Sequence, residues 1–431
     1  MKQIWPYSDT IVKTLHLTNA WHPASGGIAT FYRALIAAAN ERQHLIRLVV
    51  PAERTWIEEV GRFGRIYHLE APRAPFNRNY RVLWFHRHLL PNTAIHKILA
   101  SERPDLVEVC DKYSLNHLAG LIHGRWIPGL RIRPKLVALS CERMDDNVAA
   151  YVSRGQIGKW FSRKYMKYCY FRRFDHHITV SEYTAAELRL AAHGERLDRA
   201  ISVRPMGVDL NRFSIAHRSP AARRELVKRV GGDDNTVLLL YAGRLVPEKN
   251  LELLVGTIAE LAGDRQRDYR LLIAGDGNRA AWMRNRCEQY APGHVAFHGH
   301  VASRQNLAAL YANSDVFVHP NPREPFGIAP LEAMASKLPL VVPNVGGVTT
   351  YANSNNAWVA DPTPSRFAAG VRAVVSDPVD REARVQAALS TVAALGWPSA
   401  ASSFLELYER IHTLANGATV ETISELRSQA T

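Results

Sequence analysis

The sequence predicts an α/β protein made of two doubly wound parallel sheets, one in each half of the chain. Short apolar runs alternate with stretches of helical spacing, the pattern of strands joined by crossover helices. The alternation stops at a turn-rich break, Gly231-Gly-Asp-Asp-Asn235, and then restarts. Length agrees with two or three domains: 431 residues, 47% hydrophobic and 22% charged, are ordinary globular material with enough chain for real cores. That composition excludes a disordered, collagenous or disulfide-stapled chain.

In order, Lys13 to Thr18 reads as a strand, Pro23-Ala-Ser-Gly-Gly27 as a loop, and Ile28 to Ala39 as a helix. Leu45 to Val50 is the next strand, and Trp56 to Gly61 is expected on a helix. Strands follow at Leu106–Val109, Leu136–Leu139 and His177–Val180, each trailed by helical spacing. After a linker placed near Gly207–Asp234, Thr236–Ala242 is a buried strand, Leu251–Ala262 a helix and Arg270–Ala274 a strand. Val295–Phe297, Val316–Val318 and Leu340–Val342 complete the second sheet, and a last helix runs from Trp397 to Ala415. The halves are Rossmann-like, with expected domains at residues 1–212 and 213–395 and a closing segment at 396–431.

The net charge of +14 is unevenly shared. Residues 1–213 carry 32 Lys and Arg against 19 Asp and Glu, and residues 214–431 carry 22 against 21. A basic first half calls for an anionic partner: a phospholipid surface, nucleic acid or an acidic substrate. Nucleic acid is set aside, because no stretch resembles a base-reading module and the cations form no recognition helix. The four cysteines, Cys110, Cys141, Cys169 and Cys287, form no CxxC pair and read as reduced cytosolic thiols, not metal ligands. No apolar run reaches membrane-spanning length and the N-terminal residues hold no apolar leader core, so a cytoplasmic protein, at most peripheral on the inner membrane face, is expected.

Chemistry concentrates at four places. Gly26-Gly27 precedes the first helix, where it is either a tight turn or a loop bringing backbone N–H groups to an anion. In Tyr241-Ala-Gly-Arg-Leu-Val-Pro-Glu-Lys-Asn250, Arg244 and Lys249 stand at a strand's carboxyl end, where open α/β sheets bind ligands. They are either a diphosphate clamp or solvated surface charges. Gly275-Asp-Gly277 follows the next strand; Asp276 reads as a turn residue and Gly275 as a backbone contact. The sharpest element is Glu324-Pro-Phe-Gly-Ile-Ala-Pro-Leu-Glu332, with Glu324 in a loop and Glu332 about two turns down the following helix. One carboxylate suits sugar hydroxyls and the other a ribose diol; each is otherwise a charge complementing a helix end or the solvent.

Together with Val180-Ser-Glu-Tyr-Thr184 and Gly207-Val-Asp-Leu-Asn-Arg-Phe213, these residues resemble the retaining GT-B glycosyltransferases, specifically glycosyltransferase family four, from about Leu15 to Ile411. The resemblance implies two facing Rossmann-like domains, a C-terminal helix crossing back to the first, and a nucleotide diphosphate sugar as co-substrate with no other cofactor and no metal. It implies that Arg244 and Lys249 grip the diphosphate, that Glu324 contacts the sugar and that Glu332 binds the ribose. By the same carry-over Phe326, Gly327 and Ile328 present backbone N–H groups, His300 and Val301 lie against the base, and Gly27 and Gly275 line the donor. Two departures stand out. Cys141 occupies a position commonly held by His, leaving Cys141, Glu142, Arg143 and Asp145 as the acceptor-side set, and Thr350 stands where the family often has Glu after Gly346-Gly347.

Residues 154–173 hold seven cations, Arg154, Lys159, Arg163, Lys164, Lys167, Arg172 and Arg173, among aromatics and without an acid. The stretch either lies on an anionic membrane or packs its aromatics inward and solvates its charges. The expected reaction moves a hexose to a saccharide or glycolipid hydroxyl. GDP-mannose is the first-choice donor, because the Cys141–Asp145 and Glu108–Tyr113 regions look most like bacterial mannosyltransferases of the family. A UDP-hexose (for glucosyl or N-acetylglucosaminyl transfer) is the alternative donor, and a basic nucleic-acid-binding or a non-catalytic membrane-associated protein the alternative role.

Overall fold

The computed structural model describes residues 12–21, 27–75, 77–88, 90, 92–130, 132–151, 156–192 and 200–415. Gly26, most of its loop, and Arg154 lie outside them.

The first sheet contains β1 (Lys13–Thr18), β2 (Leu45–Ala52), β3 (Trp56–Val60), β4 (Gly64–Glu70), β7 (Leu106–Cys110), β8 (Lys135–Ser140), β9 (His176–Thr179) and β10 (Ile201–Val203), with a small hairpin of β5 (Arg73–Ala74) and β6 (Asn77–Arg81) beside it. Its order is β10-β9-β8-β7-β1-β2-β4-β3, parallel except for the β3–β4 pair. The second sheet is wholly parallel: β11 (Val237–Ala242), β12 (Tyr269–Ala274), β13 (Val295–Gly299), β14 (Val316–Val318), β15 (Leu340–Pro343) and β16 (Trp358–Ala360), ordered β13-β12-β11-β14-β15-β16. Helices cover both faces, which is why β8 and β11 read as unbroken apolar runs. The expected pair of doubly wound sheets is present.

One local expectation is corrected. Trp56–Gly61 is not helical: β3 runs antiparallel to β4 at the sheet edge. Gly61, at φ +69°, closes the hairpin, and Asn40 fastens it by donating to the Val60 carbonyl (2.8 Å) and accepting from the Phe63 N–H (2.9 Å). The stretch placed as a linker, Gly207–Asp234, contains a helix, Pro220–Arg229, whose N-cap Ser219 accepts from the Ala222 N–H.

The last helix, Trp397–Ala415, returns to the first domain and packs on the helix Gly27–Arg42. Phe404 meets Phe31 edge-on at 4.8 Å. Beneath them Glu108, fully buried in the middle of β7, accepts from Tyr32 Oη (3.0 Å), His16 Nδ1 (2.9 Å) and Tyr408 Oη (2.5 Å). A buried carboxylate is tolerable only with such partners. The outgoing and returning connections run side by side: Val208 donates to Leu395 O (2.9 Å) and accepts from Trp397 N (3.1 Å). Gly207 is needed there, since a Cβ would lie 2.8 Å from the Trp397 ring.

Loops at the carboxyl ends of the two sheets meet one another. Ser181 Oγ donates to Pro325 O (2.5 Å), and the helix Met144–Tyr151 packs against the turn Pro247–Lys249. Among the described residues no helix is long and apolar enough to cross a membrane.

Candidate active site

The second-domain wall is built from the loops after β11 and β14. After β11 the chain makes a tight turn at Pro247–Lys249 and reverses at Asn250, which is left-handed (φ 51°) and donates to Pro320 O (3.0 Å). This brings Lys249 Nζ to 2.7 Å from Glu324 Oε2. The same oxygen accepts from Asn321 Nδ2 (3.0 Å), and His319 Nε2 lies 3.7 Å away. Burial by itself raises the Glu324 carboxyl pKa, but the Lys249 charge, His319 and the hydrogen bonds outweigh it and hold the group at about 2. Burial pushes His319 down to about 4, so its ring is neutral at neutral pH. Arg244 shares the strand end but not the pair: its side chain is half exposed and meets Glu248 at 3.2 Å.

Gly327, at φ +90°, starts the helix Ile328–Ala335, whose first N–H groups have no partner inside the helix. Tyr351 Oη donates to Gly327 O and packs on Phe326 at 5.2 Å, fixing the turn. Gly347 N donates to Glu324 O (2.6 Å), and a Cβ at Gly347 would fall 1.9 Å from Pro325 O. Backbone contact at the Gly346-Gly347 loop therefore pins Glu324. Glu332 is the fifth residue of that helix, one turn down and not two. It is buried, with Oε1 2.9 Å from Arg304 and Oε2 accepting from Tyr311 Oη (3.0 Å). His300 is exposed and Val301 half-buried just beyond β13. Gly275 spends its N–H on Gly299 O (2.9 Å), and its Cα abuts the Gly243 carbonyl, so it shapes the loop after β11.

From the first domain, Gly27 reaches Ile328: a Cβ there would lie 3.3 Å from Ile328 Cδ1. Cys141 lies 4.0 Å from Cys110, sulfur to sulfur, and that contact together with burial keeps its thiol protonated. Glu142 is raised by burial and accepts from Asn147 Nδ2 (2.8 Å). Arg143 and Asp145 pair with each other (2.6 Å), Arg143 stacks on Tyr183 (4.6 Å), and Glu187 accepts from the N–H groups of Met144 and Asp145. Lys249, Glu324, Phe326, Gly327, Ile328 and Gly27 thus converge, while Arg244 turns to Glu248 and Arg143–Asp145 are tied to the helix Glu182–Ala192. Asn321, His319, Arg304 and Tyr311 were not anticipated. Only Asn321, three residues before Glu324, left a local signal.

The basic stretch forms a helix, Gln156–Tyr165, continued by a π-helical turn, Met166–Tyr170. Met166, Tyr170 and Phe171 are buried. Ile157 (81% exposed), Trp160 (61%), Phe161 and Tyr168 face outward among exposed Lys159, Arg163, Lys164 and Arg172. This helix packs on Met144–Tyr151, the helix that touches Pro247–Lys249.

Two facing Rossmann-like domains, with a lysine–carboxylate pair beside a helix N-terminus at the carboxyl end of the second sheet, define a glycosyltransferase of the GT-B fold. Residues 25–212 match Glycosyltransferase Family 4 and residues 222–390 match the glycosyl transferases group 1 family. A GDP-mannose-dependent alpha-(1-6)-phosphatidylinositol dimannoside mannosyltransferase of Mycobacterium tuberculosis is 30% identical over 404 residues, covering 91% of this chain and 95% of its own. A GDP-mannose-dependent alpha-mannosyltransferase of Mycolicibacterium smegmatis is 37% identical over 169 residues, 39% of this chain and 40% of its own. Among solved structures, sucrose-phosphate synthase from Thermosynechococcus elongatus superposes with a TM-score of 0.71 at 18% identity, covering 94% of this chain and all of that one. Anabaena HepE, in complex with UDP and glucose, gives 0.67 at 17%, covering 93% and 100%. The chain belongs to glycosyltransferase family 4.

Proposed function

We propose that the chain is a retaining, metal-independent mannosyltransferase that moves mannose from GDP-mannose to a hydroxyl of a saccharide or glycolipid at a membrane surface. The observation that carries the reading is the Lys249–Glu324 pair, set beside the N-terminus of the helix Ile328–Ala335. The donor is supported by relatives that are GDP-mannose-dependent mannosyltransferases.

In this reading Arg244, Lys249 and the N–H groups of Phe326, Gly327 and Ile328 stabilise charge developing on the departing diphosphate, with Gly27 closing from the other domain. Glu324, its Oε2 fixed from behind, meets the sugar hydroxyls. Glu332 takes the ribose, His300 and Val301 flank the base, and Gly275 shapes the loop beneath. The anomeric C–O bond to phosphate breaks as the acceptor oxygen attacks from the same face, and the acceptor proton passes to the leaving phosphate oxygen. The protonated Cys141 thiol is no nucleophile; with Glu142, Arg143 and Asp145 it lines the acceptor side. Closure of the two domains excludes water from the reacting carbon.

A thermal-shift panel of GDP-mannose, GDP, UDP-glucose, UDP-N-acetylglucosamine and UDP, run with a chelator, tests the donor. A ligand at about 100 times its dissociation constant adds about 2.7 kcal/mol of stability. Stabilisation by the guanine pair alone is expected. Stabilisation by the uridine compounds overturns the donor, and a response to none overturns the donor site.

The membrane surface is supported by the exposed Ile157, Trp160, Phe161 and Tyr168 among cations. Each cation near an anionic surface contributes on the order of 1 kcal/mol. Sedimentation with phosphatidylglycerol vesicles is expected to carry the protein down, less so at high salt or after W160S/F161S. Equal recovery with purely zwitterionic vesicles rules that surface out.

A further inference from the structure

Glu332 is enclosed differently from Glu324. Among the described residues each oxygen has one side-chain partner, Arg304 on Oε1 and Tyr311 on Oε2. A carboxylate oxygen offers two acceptor directions, so one remains on each, the arrangement a vicinal diol requires. Burial raises the Glu332 carboxyl above its ordinary value and Asp209 adds to the rise, while Arg304 and Tyr311 offset only part of it. Arg304 is the cation paired with this buried carboxyl and the larger of the two influences that favour its ionised form. Its guanidinium also lies 5.0 Å over the ring of Phe213, which is fully buried and meets Tyr311 edge-on at 5.6 Å. Phe213 ends the Gly207–Phe213 segment that carries the chain from the first domain to the second.

We propose that Arg304 is a positioning residue for the nucleoside half of the donor, charge-balancing and orienting Glu332 for the ribose diol and tying that carboxylate to the interdomain segment. The inference rests on the reading of Glu332 as the ribose ligand. A protonated Glu332 presents a donor where the diol needs an acceptor, so nucleotide affinity depends on Arg304 most strongly on the acid side. Ser303, whose hydroxyl caps the helix Arg304–Ala312, sets the direction in which Arg304 leaves the backbone.

The test is calorimetric titration of the full chain with GDP and with 2′-deoxy-GDP across the range from about pH 6 to about pH 9. Arg304→Met keeps the apolar stem and removes the charge; Arg304→Lys restores it. The expected result is that R304M binds GDP at least about tenfold more weakly at the acid end, the equivalent of one pKa unit. At that acid end it should also lose the preference for GDP over 2′-deoxy-GDP, and it should approach wild type in both respects at the alkaline end, while R304K behaves as wild type throughout. A merely structural arginine lowers the melting temperature without moving the pH profile or the deoxy discrimination. R304M with the wild-type profile and discrimination overturns the proposal, and Arg304→Gln serves the same comparison if R304M does not fold. Wild-type protein that binds no nucleotide at any pH overturns the donor site and this inference together; wild-type binding with an indifferent R304M overturns this inference alone.

Discussion

Glu324→Gln is expected to lower sugar transfer by on the order of 100- to 1000-fold, the loss typical when one preorganised electrostatic contact to a transition state is removed. The change keeps shape and removes the charge that Lys249, Asn321 and His319 surround. Lys249→Ala is a poorer probe, because it strands a buried carboxylate; breaking such a pair from one side costs about 3–5 kcal/mol of stability. Lys249→Met combined with Glu324→Gln leaves no charge unpaired, so the double variant should recover stability and remain inactive. Turnover and thermal melts on the three variants separate the roles, and near-normal kcat in E324Q removes Glu324 from the active site. The pH dependence has a definite sign. Glu324 has an ordinary pKa of 4.5 and is held at about 2 in the fold, so its stabilising contribution is complete above about pH 4.5 and is lost as pH falls toward 2. Glu324 accordingly supplies no acid limb to activity in the neutral range.

Glu108→Ala should be the most destabilising single change in the first domain, at about 3–5 kcal/mol, a large share of a domain's total stability. It strips the acceptor from three buried donors, Tyr32, His16 and Tyr408, and a donor left unsatisfied costs about 1–3 kcal/mol. Tyr408→Phe should cost about 1 kcal/mol, one hydrogen bond's worth. Denaturant titration measures both, and hydrogen exchange should show the helix Trp397–Ala415 opening first in E108A. A variant that melts with wild type denies the network any part in docking that helix.

Most of the fold was legible because central parallel strands are buried on both faces and so announce themselves as apolar runs. β3 was not, because Trp56-Ile-Glu-Glu-Val60 sits at an edge, mixes charge with bulk, and takes its form from a hairpin that Asn40 holds from a distance. At the site, residue types and spacing singled out Lys249 and Glu324 as candidates but did not reveal that they pair with each other. Arg244 and Lys249 share the carboxyl end of one strand, and spacing did not show that Arg244 pairs with Glu248 while Lys249 pairs with Glu324. Arg304 and Tyr311 were invisible because a salt bridge between separate helices leaves no trace in spacing. In the basic stretch the π-helical turn after Tyr165 shifts the helical phase, so Tyr170 and Phe171 turn inward while Trp160 and Phe161 remain outside, a split that spacing did not reveal.

The returning helix also imposes an order on biosynthesis. Tyr408 and Glu108 are 300 residues apart in the chain. At ~5–20 residues per second, Glu108 waits roughly 15–60 s after translation for its partner. Throughout that interval the nascent first domain presents Phe31 and a half-satisfied carboxylate to its surroundings. It reaches its finished core only after the second domain has been made, so a ribosome stalled anywhere in the second half holds out a domain that looks complete by length and is not complete by packing.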